Sequence, residues 1–350
     1  MSGARESLSQ ELLALVTSSW VSQALYVTAE LGLADHLARG PMSSEALALV
    51  THCHEPSLRR LLRALVTLEV VSEPEVGTFE LGRLGRLLER DAPNSLAAWT
   101  RWWGGNLWPV FGRLLDCVRT GESGRAIAYG SRGFAHLERD PEAAAIFNRA
   151  LAELTRLHAA TLVEHYDFSP FASIVDVGGG YGELLATILA RHTTARGVLF
   201  DRPHALAGAR EHLSAAGVVE RCEFVSGDFF DSLPGGADAY VLKSVLHDWD
   251  DERALRLLEV CRRALPERGR LLIVEPVMPE RLAPGAAHRQ LARSDLTMLV
   301  AHGASERTEA AYRSLLSRAG FSLERVVPAG PTFSVLEAGA PSSLPERPAA

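Results

Sequence analysis

Between residues 166 and 278 the chain carries five short runs that are almost continuously apolar: SIVDVGGG, ARGVLFD, CEFVSGD, ADAYVLKSVLH and GRLLIVEPV. Segments of helical periodicity separate them. A strand with one face in water alternates apolar and polar residues, and these runs do not. They must be covered on both faces, as in a parallel sheet with helices above and below. Two further runs, FSLERVVPA and PTFSVLEAG, come after the helical stretch TEAAYRSLLSRAGF. The short turn between them predicts an antiparallel hairpin at one edge of the sheet. Residues 166–338 are thus read as an α/β domain on a mostly parallel, seven-stranded, Rossmann-like sheet.

The first run leads into a glycine turn, Ile174-Val175-Asp176-Val177-Gly178-Gly179-Gly180-Tyr181-Gly182, and then into a helix, ELLATILARH. Glycines allow positive φ and let the backbone approach a ligand closely. A dinucleotide site needs such a loop too, but its fingerprint reserves a small residue where this chain has Glu183. Asp176 also stands two residues before the first glycine, where a carboxylate faces a cation rather than a pyrophosphate. Asp201 ends the second run, placed to take two ribose hydroxyls. Gly227-Asp228-Phe229 ends the third, a carboxylate for an exocyclic amine beside a ring for a purine face. With Gly178 and Gly180, these strand ends call for an adenosine joined to a cationic amino-acid end, which is S-adenosylmethionine.

The fourth run ends in VLKSVLHDWDDE, residues 241 to 252. Of 36 Lys and Arg residues only Lys243 is lysine, a compact ammonium at the same edge as the glycine loop. His247 lies four residues on. Glu275 ends the fifth run and Glu306 lies in HGASERTE. Carboxylates from two separate segments are expected to hold the imidazole in one tautomer and raise its basicity. Asp250, Asp251 and Glu252 precede the helix ERALRLLEVCRRAL, where acids suit its positive end.

The first 165 residues read as helical. ESLSQELLALVTSSW and VSQALYVTAELGLADHL repeat apolar positions at helical spacing, and Gly40-Pro41 breaks the pattern. Ser43-Ser44-Glu45 is a helix-start signature, SLRRLLRALVTLEVV continues as helix, and the stretch around Gly77 predicts a hairpin. Three helices and a hairpin form a winged-helix pattern, whose first functional reading is DNA binding. Glu55 to Arg90 holds six acidic and six basic side chains, and the whole chain carries a net charge of −7. A DNA-reading surface is basic, so packing or dimerisation is preferred and no nucleic-acid partner is expected. Four widely spaced cysteines indicate a reducing, cytoplasmic setting. No signal segment and no apolar run of transmembrane length are recognised, so no membrane partner is expected. His52, Cys53 and His54 lack further ligands, and no metal site is expected.

DVGGGYG, LFDRP, GDFF, LKSVLHDWDDE and GASERT together resemble the small-molecule O-methyltransferases of the caffeate/flavonoid type, which also occur in bacterial natural-product pathways. The resemblance covers about residues 10 to 338. It implies a class I methyltransferase domain, an N-terminal winged-helix-like domain forming a homodimer, and S-adenosylmethionine as cofactor. The family's catalytic histidine falls on His247 and its assisting glutamates on Glu275 and Glu306. Its cofactor positions fall on Gly178, Asp201, Asp228, Phe229 and Lys243. Asp248 touches substrate in some relatives. Trp103, Phe147, Leu151, Asp295 and Met298 are read as acceptor contacts, against the competing reading of core packing for each. Leu151 stands where the family often has methionine, a more adaptable wall. The implied boundaries are 1–100 for dimerisation, 101–165 for a helical linker, 166–338 for the methyltransferase and 339–350 for a disordered tail. The implied reaction is methyl transfer to a phenolic hydroxyl. The alternatives are C- or N-methylation, non-methylating chemistry on the same scaffold, and a winged-helix regulator.

Overall fold

The computed structural model describes residues 2–130 and 133–341, and residues 342–350 of the expected tail lie outside the described residues. The chain divides into two compact units, Met1–Pro109 with Arg149–Leu154, and Val110–Asn148 with Thr155–Ala350. The expected linker, 101–165, is shared between them.

The first unit opens with helices Ser2–Thr17 and Ser19–Glu30 and continues through helices Ser44–Thr51 and Glu55–Val66. Ser43 caps the third of these, its Oγ accepting from the Ala46 N–H at 3.2 Å. Helix Glu55–Val66 buries Leu58, Leu62 and Leu65 at helical spacing and turns Arg60 and Arg63 to solvent. Strands β1 (Met42–Ser43), β2 (Val71–Glu75) and β3 (Thr78–Leu81) form a small antiparallel sheet in the order β1-β3-β2. The hairpin turns on Val76 and Gly77, the latter at φ +84°, where a side chain would be strained. Farther on, the WWGGNL stretch is a π-helical turn, Trp102–Leu107. Helix Ser19–Glu30 packs directly on it, since a Cβ on Gly104 would lie 2.2 Å from the Tyr26 Cβ.

The first helix departs from expectation. Leu8, Leu12, Leu13, Leu15 and Val16 are all more than half exposed, and Trp20 on the next helix is 45% exposed. Residues Ser7–Glu30 are long and apolar enough to cross a membrane by length and composition. That corrects the expectation of no such run. Its serines and its two glutamates, Glu11 and Glu30, interrupt the apolar run without lowering its mean hydropathy enough.

The second unit is the expected sheet. Strands β4 (Ser173–Val177), β5 (Arg196–Asp201), β6 (Cys222–Ser226), β7 (Ala239–Lys243), β8 (Arg270–Met278), β9 (Arg307–Thr308), β10 (Ser322–Pro328) and β11 (Phe333–Gly339) assemble in the order β10-β11-β8-β7-β4-β5-β6. Strand β11 runs antiparallel to both neighbours, and the other pairs on this path are parallel. The two-residue β9, absent from the sequence reading, adds to the end of β8 through Val277 and Met278.

Both faces are dry. Ile174, Val241, Leu272 and Val274 pack under helix Glu183–Arg191 and the end of helix Pro141–His165. Val175, Tyr240, Leu242, Leu271 and Ile273 pack under helices Asp251–Ala264 and Glu309–Arg318. Successive residues point to opposite faces, which is why the runs show no alternation. Each buried Leu, Ile or Val contributes about 1.5–3 kcal/mol. Parallel strands bring the carboxyl ends of β4 to β8 to one edge, and the conspicuous polar residues sit there.

Candidate active site

β4 delivers Asp176, 3% exposed, and the chain then turns through Gly178, Gly180 and Gly182 at φ of +71°, +57° and +80°. A Cβ on Gly179 would lie 2.6 Å from the Asp176 carboxylate, so the loop hugs that group too closely for a side chain. The Gly180 N–H donates to Asp201 Oδ2 at 2.8 Å, and the Arg202 N–H donates to Oδ1 at 2.7 Å. Asp228, past the end of β6, accepts from the Phe230 N–H and from Arg202 Nη1, each at 2.8 Å. Arg202 also reaches Glu138 at 2.6 Å. A cleft of about 550 Å³ opens here between Glu138, Arg202, His204, Gly227 and Asp228. Phe229 packs edge-on against Phe230, with ring centroids 4.9 Å apart.

At the end of β7 the Lys243 ammonium donates to Thr155 Oγ1 at 3.0 Å and lies 5.4 Å from the Phe333 ring centre. Burial, with Asp201 adding to it, raises the Asp176 carboxyl to about 7. Burial also raises Asp201. Burial lowers Lys243 to about 8, opposed by Asp176, Glu275 and Asp248. Two crowded carboxylates and one weakened ammonium suit a ligand that brings a positive charge.

Ser244, at φ +56°, and the single 3₁₀ turn Leu246–Asp248 carry the chain away from β7. His247 lies on that turn. Its Nδ1–H donates to Glu306 Oε1 at 3.0 Å, and Ser294 Oγ donates to the same oxygen at 2.6 Å. Glu306 is delivered by the end of helix Ala286–His302, where Gly303 at φ +70° reverses the chain. The Glu306 N–H then donates to Asp295 Oδ1 at 2.9 Å. A carboxylate on Nδ1 leaves Nε2 as the nitrogen able to accept a proton.

Glu275 does not touch the imidazole ring. Its Oε1 accepts the backbone N–H groups of Val245, Leu246 and His247 at 3.0, 2.6 and 3.2 Å, and Oε2 accepts the Tyr312 hydroxyl. The expectation that two carboxylates hold the ring is corrected to one, because the strand end aims Glu275 at three amides that need acceptors. His247, Glu275 and Glu306 have ligand-type atoms within 4.8 Å of one another. A cation there would displace those donors and the Nδ1 proton, so the arrangement reads as a proton site.

Burial alone would lower His247, but Glu306, Asp248 and Glu275 outweigh it and raise the ring to about 10. Asp248 Oδ1 stands 3.7 Å from His247 Nε2 and 3.4 Å from His302 Nε2. Burial lifts Asp248 to about 7, against the opposing charge of His247.

Of the expected acceptor contacts, Phe147 joins Phe134 at 5.6 Å, and Phe134 in turn meets His302 at 4.8 Å and Trp249 at 6.0 Å. Met298 is buried on helix Ala286–His302. Asp295 directs one oxygen to the Glu306 amide. Trp103 and Leu151 belong to the first unit, where Trp103 packs on Trp99 at 5.6 Å and Leu151 is 37% exposed. The sequence reading missed Phe134, Ser294, His302, Arg307 and Tyr312. Arg307 is 4% exposed and clamps the turn, donating to Leu246 O at 2.9 Å, Trp249 O at 2.7 Å and Asp251. Its place next to Glu306, with Asp251 four residues after His247, was the available signal. Asp250, not Asp251, caps the next helix, accepting from the Arg253 N–H at 2.9 Å.

Residues 111–322 match the O-methyltransferase domain, and residues 13–91 match the O-methyltransferase dimerisation domain. The chain is 42% identical over 331 residues to the phenazine O-methyltransferase PhzM of Lysobacter antibioticus, covering 95% of this chain and 96% of that protein. This chain belongs to the O-methyltransferase family. The crystal structure of LaPhzM matches it with a TM-score of 0.92 at 42% identity, over 95% of this chain and 99% of that one. A further relative is the 8-amino-8-demethylriboflavin N,N-dimethyltransferase of Streptomyces davaonensis, 36% identical over 91% of each chain. Solved relatives include complexes with S-adenosylmethionine and S-adenosylhomocysteine. The protein is an S-adenosylmethionine-dependent methyltransferase of class I fold with an N-terminal dimerisation domain.

Proposed function

We propose that this enzyme transfers the methyl group of S-adenosylmethionine to a phenolic hydroxyl of an aromatic natural product, with His247 as general base. The observation that carries the reading is the Glu306–His247 pair, with Nδ1 committed to a carboxylate and Nε2 left to receive a proton. The aromatic acceptor is supported by the cluster of Phe134, Phe147 and Trp249 rings, in which Phe134 also meets His302, and by the phenazine named for the relative. In this reading Asp201 takes the ribose hydroxyls, and Asp228 and Phe229 hold the adenine. Asp176, Lys243, the loop of Gly178 and Gly180 after β4, and Gly227 after β6 line the remainder. When bound, the cofactor supplies an electrophilic methyl on a sulfonium.

His247 then removes the acceptor's proton as the oxygen attacks. An ordinary histidine, pKa ~6.5, accepts a proton from a phenol, pKa ~10, uphill by about 5 kcal/mol. A ring raised to about 10 by Glu306 and Asp248 removes most of that mismatch. The cost is that little of the ring is neutral at pH 7, so kcat/KM should rise with pH, with an acid limb above the ordinary histidine value of ~6.5. The N,N-dimethyltransferase relative shows that family membership does not choose the atom methylated. A base of raised pKa favours oxygen, because a neutral arylamine attacks before it need lose a proton. The enzyme is further proposed to work in the cytoplasm as a homodimer joined through its N-terminal helices.

Mass spectrometry of reactions with hydroxyphenazines and other phenols should show a methylated product and S-adenosylhomocysteine. His247→Ala should lower kcat by about 10²–10⁴ while calorimetry finds cofactor affinity unchanged. Asp201→Ala should do the reverse, weakening cofactor binding. Retention of full rate by His247→Ala from pH 6 to 9 would dismiss the base.

A further inference from the structure

Asp248 is a carboxylate with an unusual surrounding. It is largely buried, yet among the described residues its side chain accepts no hydrogen bond and stands only in two long contacts, 3.7 Å to His247 Nε2 and 3.4 Å to His302 Nε2. One oxygen, Oδ1, makes both contacts. A buried carboxylate beside a protonated imidazole should close to about 2.8 Å, because charge-assisted hydrogen bonds are short and strong. Something holds it back.

We propose that His302 is a positioning residue that competes for Asp248 Oδ1 and so keeps that carboxylate from sealing His247 Nε2 against the incoming acceptor. Three observations place His302 for this work. It is the last residue of helix Ala286–His302, pinned by the Gly303 reversal in which the Gly303 N–H donates to Leu299 O at 3.0 Å. Its ring is braced by Phe134, 4.8 Å away. Its Nδ1 is buried and has no hydrogen-bond partner, so the ring is not oriented by that nitrogen and Nε2 faces Asp248 alone.

A neutral imidazole facing a carboxylate presents N–H, so Nε2 carries the proton and Nδ1 the lone pair. Burial and the nearby charges of Arg125, His247 and His136 keep His302 neutral, lowering it to about 3. A neutral donor draws the carboxylate without adding a second full charge. The alternative occupant of Oδ1 is His247 itself, whose Nε2 would then be held protonated and unable to act. When an acceptor enters, Asp248 can turn wholly to His302 and release Nε2.

The role of His302 rests on the reading of His247 as base, but its first test does not require turnover. The groups that bear on His247 are Glu306 from the turn after the helix, Glu275 from β8 and Asp248 from its own turn, and Lys243 from β7 bears in turn on Asp248. Arg125 and His136 lie beyond His302, and Arg307 holds the Leu246 carbonyl. Substitution of His302 leaves all of these in place.

Histidine-selective ¹⁵N NMR of the full-length protein without acceptor gives the titration of His247, assigned with His247→Gln. His302→Leu removes the competing donor, and the His247 titration should move up by about one pH unit as Asp248 closes on it. The acid limb of kcat/KM should move with it. His302→Gln retains a neutral N–H donor and should return both toward wild type, and adding Asp248→Asn to His302→Leu should bring both below wild type. A His247 titration that stays put or falls in His302→Leu overturns the proposal. Should His302→Leu fail to fold, Asp248→Asn alone decides: it must lower the His247 titration, and an unmoved one overturns the proposal. If His247→Ala keeps its methyl transfer while the NMR shifts occur, the base assignment fails and the positioning role stands.

Discussion

Tyr312 and Arg307 support the His247 turn as firmly as the acidic residues beside it. Three amide N–H groups converge on one oxygen of Glu275, and the Tyr312 hydroxyl occupies the other. Tyr312→Phe leaves that oxygen buried without its donor, a cost of about 1–3 kcal/mol. Thermal unfolding should show a drop in Tm, with kcat falling several-fold because the turn loosens while every group on the imidazole remains. Full retention of both would show that Glu275 does not depend on Tyr312. Asp201, Glu306 and His247 could be picked out from sequence because each closes an apolar run or sits in a motif with a fixed chemical task. Glu275 could be picked out as important but not as a backbone anchor, since its direction depends on where the next strand ends. Phe134 and His302 gave no signal, because one aromatic or one histidine is common and only their meeting across the fold gives them meaning.

The first two helices pose the question at the scale of elements. Leu8, Leu12, Leu15 and Val16 recur at helical spacing on one face and are all more than half exposed. A stripe of that kind covers either a second protein chain or a lipid surface. The dimerisation-domain match over residues 13–91 includes Leu13, Leu15 and Val16 and favours the protein. Leu12→Arg with Val16→Arg should convert a dimer to a monomer in sedimentation, while cofactor binding by the second unit persists. An unchanged dimer would move the interface elsewhere, and a loss of vesicle binding would point to lipid. Strands β4, β5, β7 and β8 were readable as elements because burial on both faces leaves an almost unbroken apolar run, and the half-buried edge strand β6 because its run is bounded by turn residues. Strand β9 was not. Two residues carry no periodicity, and only the path of the GASERT turn beside β8 creates it.

Over the whole molecule, buried ionisable groups pull stability in opposite directions. Asp176 and Asp248 are raised to about 7, so they bind protons in the folded state at pH values where the unfolded chain, with Asp near 3.9, does not. Their contribution is complete below about 3.9 and is lost as pH rises through 7. His136 and His302 are lowered to about 4 and about 3, so the unfolded chain binds the extra protons and stability rises with pH up to about 6.5. Between about pH 4.5 and 6.5 the two pairs oppose each other. The urea midpoint of the cofactor-free enzyme should therefore change little across that window. Asp176→Asn removes one of the two raised carboxyls and leaves the histidines in excess, so its midpoint should climb with pH across that window and exceed wild type by pH 8. A wild-type midpoint that climbs as steeply as the variant's would sink this account.

What the sequence alone determined is the part that local chemistry dictates. Unbroken apolar runs require a sheet covered on both sides, glycines after Asp176 require a turn against a ligand, and Asp201, Asp228, Lys243 and His247 fall at strand ends by counting. Tertiary structure decided the rest, because it depends on residues distant in the chain arriving at one point. It turned Glu275 onto three amides, set His302 across Asp248 from His247, and used Arg307 to lock the turn between them. A hydrogen bond spans about 3 Å, and no pattern along the chain specifies separations that small between residues far apart in sequence.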